Sequence, residues 1–142
     1  MSYLLDTNVV SELTRPEPES RLVMWLDSVD EDQLRLSVAT VAELRFGVAR
    51  LPASRRKRAL DHWLHDELLD RFSGRVLPVD TDVALAWGDI TSERQKAGRP
   101  ISAMDAMLAA TARVHGLALV TRSGSDFIGS LGDVINPWVF EG

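Results

Sequence analysis

Three acidic residues, Asp6, Glu43 and Asp105, are spaced so that a folded chain can gather them at one site. Asp6 directly follows the apolar run Tyr3-Leu4-Leu5, and a strand ending in an acid holds that side chain rigidly at the sheet edge where ligands of open α/β sheets bind. Carboxylates without histidine or cysteine among them are ligands of hard cations. The three acids therefore predict a Mg²⁺ site, in which Mn²⁺ can substitute.

Each acid also has a purely structural interpretation. Asp6 is as well suited to cap a helix from Thr7 to Leu13 as to take part in chemistry. Glu43 lies on a helix, Val38 to Arg50, that is apolar on almost every side, so its partner is either an arginine in an internal salt bridge or a metal ion. Ser102-Ala103-Met104-Asp105 matches a capping box, although the first turn of a helix also points an acid at the sheet edge.

Asp126 is a fourth candidate acid. It follows the apolar strand Leu117 to Thr121 across a short polar loop, Arg122 to Ser125. Taken alone, its position favours an Asx-type turn over a catalytic role. Both interpretations stay open from the residues themselves.

Composition limits the class of protein. With 142 residues, 45% hydrophobic and 26% charged, the chain fits one domain, residues 1–142, with a substantial core. The absence of cysteine excludes disulfides, thiolate zinc sites and a cysteine nucleophile. The N-terminus lacks the basic region of a signal peptide, and no apolar stretch is long enough to cross a bilayer. A cytoplasmic protein without a membrane contact is the expectation.

The net charge of -5 argues against a nucleic-acid partner, because affinity for phosphates comes mainly from Lys and Arg. The distribution of charge weakens that objection. Six of the 16 basic residues fall between Arg45 and Arg58, and Arg94, Lys96 and Arg99 form a second cluster. Solvated helix faces remain the alternative for both clusters.

Short apolar segments alternate with helical ones along the chain. Strands are predicted at Tyr3–Leu5, Leu34–Ser37, Arg75–Val79, Leu117–Thr121 and Val134–Ile135. Helices are predicted over 7–13, 20–27, 38–50, from a cap at Ser54 to Arg71, from Thr81 or Asp82 to Gly98, and from Ser102 to Gly116. Trp63 lies in the apolar stripe of the fourth helix, which favours a core or interface position over a base-stacking one. This alternation predicts a three-layer α/β/α domain with a small, mainly parallel central sheet.

Four short motifs occur in a fixed order: Asp6-Thr7-Asn8, Thr40-Val41-Ala42-Glu43-Leu44, Ala103-Met104-Asp105-Ala106 and Leu119-Val120-Thr121-Arg122. With this ordered set the chain resembles the PIN-domain ribonucleases, and most of all the VapC-type and FitB-type toxins of bacterial type II toxin–antitoxin pairs. The resemblance implies a PIN-like fold. It also implies that Asp6, Glu43 and Asp105 bind the metal of a Mg²⁺-dependent endoribonuclease.

One position departs from the family. After Thr121-Arg122 the family usually carries Asn or Asp, whereas this chain has Ser123. Ser123 brings no negative charge, so a second metal position would be weak, and Asp126, which matches the family's Asp-Phe pair, is the candidate to supply the missing charge.

The resemblance also implies supporting roles and partners. Residues expected to support the acids or to contact substrate are Thr7, Asn8, Thr40, Thr121, Arg122 and Ser123. The expected reaction is attack of metal-activated water on an RNA phosphodiester. A homodimer is expected, held inactive by a small antitoxin. The alternative is a PIN-like module that binds RNA or protein without cutting, which would differ chiefly by losing one of the three central acids.

Overall fold

A computed structural model describes residues 1–142, and a five-stranded sheet lies at its centre. The strands are β1 (Tyr3–Leu5), β2 (Leu34–Ser37), β3 (Val76–Leu77), β4 (Ala118–Val120) and β5 (Val134–Ile135). Their order in the sheet is β3-β2-β1-β4-β5, and every neighbouring pair is parallel. All carboxyl ends therefore lie at one edge, as predicted.

Seven helices surround the sheet. They are α1 (Thr7–Glu12), α2 (Ser20–Ser28), α3 (Val38–Ala49), α4 (Arg55–His62), α5 (Leu69–Arg71), α6 (Thr81–Lys96) and α7 (Ala103–His115). Side chains of Ser37, Ser54, Asp80 and Ser102 accept hydrogen bonds from the first turns of the helices they precede. Gly116 ends α7 with a φ of 63°, the left-handed conformation in which glycine is favoured.

The two faces of the sheet bury separate cores. Successive strand residues point to opposite faces, so Leu5 packs with α1, α2 and α3 while Leu4 packs with α6 and α7. Val120 and Leu119 of β4 divide in the same way. The predicted three-layer α/β/α architecture is confirmed. None of the helices combines the length and the apolar character that a membrane span needs.

The fourth predicted helix differs from expectation because α4 continues as a π-helical segment, Trp63–Leu68, before α5. The apolar residues here recur at every fourth position: Leu60, Leu64, Leu68 and Phe72. An α-helix would rotate such a row by about 40° at each step. The wider π turn lets Leu64, Leu68 and Phe72 all enter the same core.

Two strands are shorter than predicted. β3 covers Val76–Leu77 rather than Arg75–Val79, and Pro78, which has no N–H to donate, follows its last residue. β4 covers Ala118–Val120 rather than Leu117–Thr121. The amide of Asp6 still donates to the carbonyl of Val120 at 2.9 Å, and this places Asp6 beside Thr121 at the end of the sheet.

Candidate active site

Asp6 is a helix cap and a member of a polar cavity at the same time. Its Oδ1 accepts from the amide of Thr7 at 2.6 Å, at the start of α1. Its Oδ2 accepts from the hydroxyl of Thr121 at 2.7 Å and from the side-chain amide of Asn8 at 3.4 Å. The residue is only 6% exposed. The two interpretations of Asp6 therefore do not exclude each other, because each carboxylate oxygen faces a different set of donors.

Glu43 is held by a hydroxyl rather than by an arginine. Thr7 Oγ1 donates to Glu43 Oε1 at 2.8 Å and lies 3.3 Å from Thr40 Oγ1. Glu43 is half-buried, and none of the chain's ion pairs includes it. The alternative of an internal salt bridge between Glu43 and an arginine is therefore wrong. The helix is also less enclosed than expected, because Phe46 of α3 is 70% exposed.

Asp105 forms only half of the predicted capping box. The hydroxyl of Ser102 accepts from the Asp105 amide at 3.2 Å, but the Asp105 carboxylate makes no return bond to the Ser102 amide. Asp105 lines the cavity. Asp126 lies in a 3-10 turn, Gly124–Phe127, where its side chain makes no hydrogen bond. The Asx-type turn is therefore not formed, and Asp126 is exposed at the cavity wall.

The four acids share one open cavity of about 490 Å³. None of its lining residues is hydrophobic; they are Asp6, Thr7, Asn8, Ser11, Glu12, Arg15, Glu43, Asp105, Arg122, Ser123 and Asp126. Thr40 and Thr121 are fully buried beside it, which excludes direct contact with a phosphate and leaves them a supporting role. The candidate residues from four separate motifs therefore meet at the carboxyl edge of the sheet.

Ser11, Glu12 and Arg15 line the cavity but did not emerge from the sequence. The available signal was their spacing, since residues three, four and seven positions after Asn8 lie on the same face of a helix. Glu12 is 8% exposed, and its carboxylate accepts from the amide of Glu19 at 2.9 Å and from Arg15 at 3.4 Å. Glu12 therefore differs from the other acids of the cavity in that Arg15 and the Glu19 amide already bind its carboxylate.

A network of short polar side chains fixes the loop after β4. The amide of Asn8 donates to Thr121 Oγ1 at 3.2 Å and to Ser123 Oγ at 3.4 Å. Asn8 Oδ1 accepts from the backbone of Arg122 at 3.2 Å, and the Arg122 guanidinium lies 5.4 Å from the ring centre of Trp138. Ser123 thus stands beside Asp6, at the position where the family usually has Asn or Asp.

Arg94 is a second residue whose place the sequence did not reveal. The sequence places Arg94 in a basic cluster with Lys96 and Arg99, with a solvated helix face as the alternative, but Arg94 is only 8% exposed and so fits neither. Its Nε donates to the carbonyl of Arg99 at 2.7 Å, and its Nη1 donates to the carbonyl of Asp126 at 2.9 Å and to Ser130 Oγ at 3.0 Å. Arg94 therefore ties the loop before α7 to the loop that carries Asp126.

The environment favours a proton on two of the acids. Burial raises the pKa of Asp6, and the charges of Asp105 and Glu43 add to this, against hydrogen bonds from Thr121 and Thr7 that lower it. Burial likewise raises the pKa of Asp105, with the charges of Asp126 and Glu43 adding to it, while Ser102 and Arg94 act in the opposite direction. Ionised together, these carboxylates repel one another.

The donor set fits a hydrated Mg²⁺ better than a metal that needs an all-protein cage. No three acidic or histidine side chains of the chain stand close enough to enclose an ion by themselves. Mg²⁺ ordinarily keeps several waters and takes only one or two carboxylates. Asp6 and Asp105, with Glu43 and Asp126 around them, offer such a set, and a cation there would offset the burial, together with the added repulsion, that raises both pKa values.

Fold and cavity together define a small parallel α/β domain with an acid-lined site at the carboxyl edge of its sheet. The PIN domain family matches residues 3–128, so the chain belongs to the PIN-domain family.

Within that family the chain is similar to a protein named as a toxin and to one named as a VapC ribonuclease. It is 44% identical to toxin FitB of Neisseria gonorrhoeae over 95% of this chain and 97% of that protein. It is 42% identical to the VapC ribonuclease Y4jK of Sinorhizobium fredii over 95% of this chain and 96% of that one. Among solved structures, FitAB bound to an IR36 DNA fragment contains a chain with 41% identity and a TM-score of 0.91, covering 99% of this chain and 98% of that chain. The predicted resemblance to the VapC and FitB toxins is confirmed.

Proposed function

We propose that this PIN-domain protein is a Mg²⁺-dependent endoribonuclease that acts as the toxin of a toxin–antitoxin pair. One observation carries the proposal: Asp6, Glu43, Asp105 and Asp126 face a single cavity, and none of them takes part in an ion pair. Burial and neighbouring charge raise the pKa values of Asp6 and Asp105, and a bound cation would offset the cost of ionising both. The ribonuclease name of a relative 42% identical supports RNA as the substrate.

In the proposed mechanism the side chains of this protein bind the metal ion, orient the attacking water and contact the substrate. Asp6 and Asp105 would hold Mg²⁺, whose chemistry is to stabilise charge on the phosphoryl oxygens and to make a water more acidic. Glu43, fixed by the hydroxyl of Thr7, would orient the attacking water. Arg122 lines the same cavity and would contact a phosphate of the substrate. No side-chain nucleophile is needed.

Cleavage of a purified, folded tRNA tests the assignment. Asp6→Asn and Asp105→Asn should each reduce the cleavage rate in Mg²⁺ by at least about 100-fold, because each removes a ligand charge from the metal site. EDTA should abolish wild-type cleavage. The rate is measured from labelled RNA fragments on a denaturing gel.

The matched control is Asp89→Asn, which makes the same change on an exposed face of α6 outside the cavity. It should cleave at the wild-type rate. Full cleavage by both Asp6→Asn and Asp105→Asn would contradict the proposed site. Absence of cleavage by the wild-type protein on several RNAs would favour the alternative, a PIN-like module that binds without cutting.

We propose two partners besides RNA. A cognate antitoxin is supported by the similarity to toxin FitB and to a chain of the solved FitAB structure. A homodimer is supported by an exposed apolar surface on α3, where Phe46 is 70% exposed and Val38 is 38% exposed. Phe46 lies beside Ala42 and Met104 at a small hollow next to Glu43. An aromatic side chain exposed to this extent among apolar neighbours is typical of a surface that another protein covers.

A further inference from the structure

A groove between α1 and the pair α3 and α4 opens into the acidic cavity. Its volume is about 420 Å³, and it shares Thr7, Ser11, Arg15 and Glu43 with the cavity. The two hollows therefore form one continuous depression. A polymer whose reacting bond lies at the acids can extend into the groove without leaving the surface.

The groove carries positive charge although the protein is acidic overall. Arg15, Arg50 and Arg56 line it, against a single carboxylate, Glu43. The side chain of Arg15 is 67% exposed but pairs with Glu12 at 3.4 Å, whereas Arg50 and Arg56 are exposed and make no side-chain hydrogen bond or ion pair. Guanidinium groups in such a state are suited to phosphates, which they contact through several donors at once.

The basic run from Arg45 to Arg58 separates into groups with different tasks. Lys57 donates to the carbonyls of Ala49 and Leu51, at 3.1 Å each, and so closes the end of α3. Arg45 pairs with Asp61 of α4. Of the arginines left unpaired, Arg50 and Arg56 line the groove, whereas Arg55 and Arg58 do not.

The floor of the groove is apolar. It includes Leu44, Val48, Leu60 and the half-buried Trp63, which also packs against the core as the sequence predicted. An apolar floor beneath a basic rim suits a single nucleic-acid strand, since bases lie on apolar surface while phosphates meet the cations.

We infer that this groove binds the single-stranded RNA segment next to the cut bond, with Arg50 and Arg56 on its phosphates. The inference rests on the proposed ribonuclease function for the nature of the polymer. The phosphate contacts are independent of base sequence. The groove therefore adds affinity for the RNA and sets the direction in which the strand runs from the acids, but it does not select the target sequence. A protein partner in the same groove is the competing assignment.

Binding of fluorescein-labelled poly(U) to the full-length protein in EDTA tests the inference apart from cleavage. Fluorescence anisotropy is recorded over a series of KCl concentrations. The double variant Arg50→Gln/Arg56→Gln should bind about 10-fold more weakly at physiological salt, and the slope of log affinity against log salt should fall by about 1.4, the value for two lost phosphate contacts to a single strand.

Arg55→Gln/Arg58→Gln is the matched control, because it removes two charges from exposed positions of α4, the helix that carries Arg56, outside the groove. It should keep the wild-type affinity and slope. Equal losses in both double variants would overturn the inference in favour of diffuse attraction. No loss in either, including the case in which wild-type protein does not bind poly(U), would overturn it in favour of a protein partner.

The two proposals fail in different assays. If wild-type protein does not cleave RNA but the groove variants alone lose affinity for poly(U), the ribonuclease proposal fails and the groove stands as an RNA-binding surface. If cleavage depends on Asp6 and Asp105 but affinity does not depend on Arg50 and Arg56, only the groove assignment fails.

Discussion

Two acids of the cavity, Asp105 and Asp6, lower the free energy of unfolding when they are ionised. The pKa of Asp105 is raised above that of an exposed aspartate, so the folded protein holds this proton more tightly than the unfolded chain does. The free energy of unfolding therefore falls as the pH rises from the ordinary aspartate pKa through the raised pKa of the folded protein. The pKa of Asp6 is also raised, so ionisation of Asp6 lowers the free energy of unfolding as well. Such a trade of stability for a charged site is common where function requires it.

This sign gives a prediction for Asp105→Asn. Without metal at neutral pH, the variant should melt at a higher temperature than the wild type, and the difference should vanish at a pH below the ordinary aspartate pKa. Mg²⁺ at 100 times its Kd should stabilise the wild type by about 2.7 kcal/mol, a rise in Tm of roughly 5 to 10 °C, and should affect the variant much less. Scanning calorimetry at two pH values measures both effects.

Asp82→Asn serves as the control, since Asp82 is an exposed acid in the first turn of α6. Without metal its Tm should equal that of the wild type, and Mg²⁺ should raise its Tm by the same amount as in the wild type. A lower Tm for Asp105→Asn at neutral pH would contradict the cost of burying an ionised Asp105 beside other acids, on which the metal proposal depends.

At the scale of elements, the loops at the carboxyl edge depend on one buried arginine. Arg94→Met would leave the carbonyls of Arg99 and Asp126 without their donor, and we expect a loss of about 1 to 3 kcal/mol in the free energy of unfolding, measured by urea titration. Cleavage should fall as well, because the loop that carries Asp126 loses an anchor. Arg94→Lys should recover part of the stability, since an ammonium can reach one of these acceptors.

Lys96→Met is the comparison, since Lys96 is exposed on the last turn of the same helix and makes no side-chain hydrogen bond. We expect it to change the free energy of unfolding by less than about 0.5 kcal/mol. Equal stability of Arg94→Met and Lys96→Met would show that Arg94 does not hold the two loops together.

The elements also show which features a sequence can reveal. Asp6 and Asp105 stand at boundaries with local signals, an apolar strand before one and a serine cap before the other, so their positions were predictable. Helical spacing identified Glu43, but it did not predict the residues around Glu43. Periodicity cannot distinguish an apolar helix face that is buried from one that the chain leaves exposed. Glu12 and Arg94 were missed because their burial depends on distant segments that fold over them.

For the molecule as a whole, the uncovered face of α3 predicts a self-association surface. Phe46→Lys should convert the proposed homodimer into a monomer in sedimentation or light-scattering measurements, because it places a charge in a contact that must exclude water. Leu85→Lys is the control, since Leu85 of α6 is 66% exposed on a different helix. A wild-type protein that is monomeric at high concentration would contradict the dimer.

The bond between Thr121 and Asp6 joins residues 115 positions apart, and the amide of Asp6 pairs with β4 in the same place. A ribosome therefore makes Asp6 115 residues before it makes Thr121, whose hydroxyl holds the carboxylate. At about 5 to 20 residues per second this interval is on the order of ten seconds. During that interval the growing chain has the residue but not the site, so the proposed ribonuclease would stay inert beside the RNA from which it is being read until the segment around Thr121 has emerged.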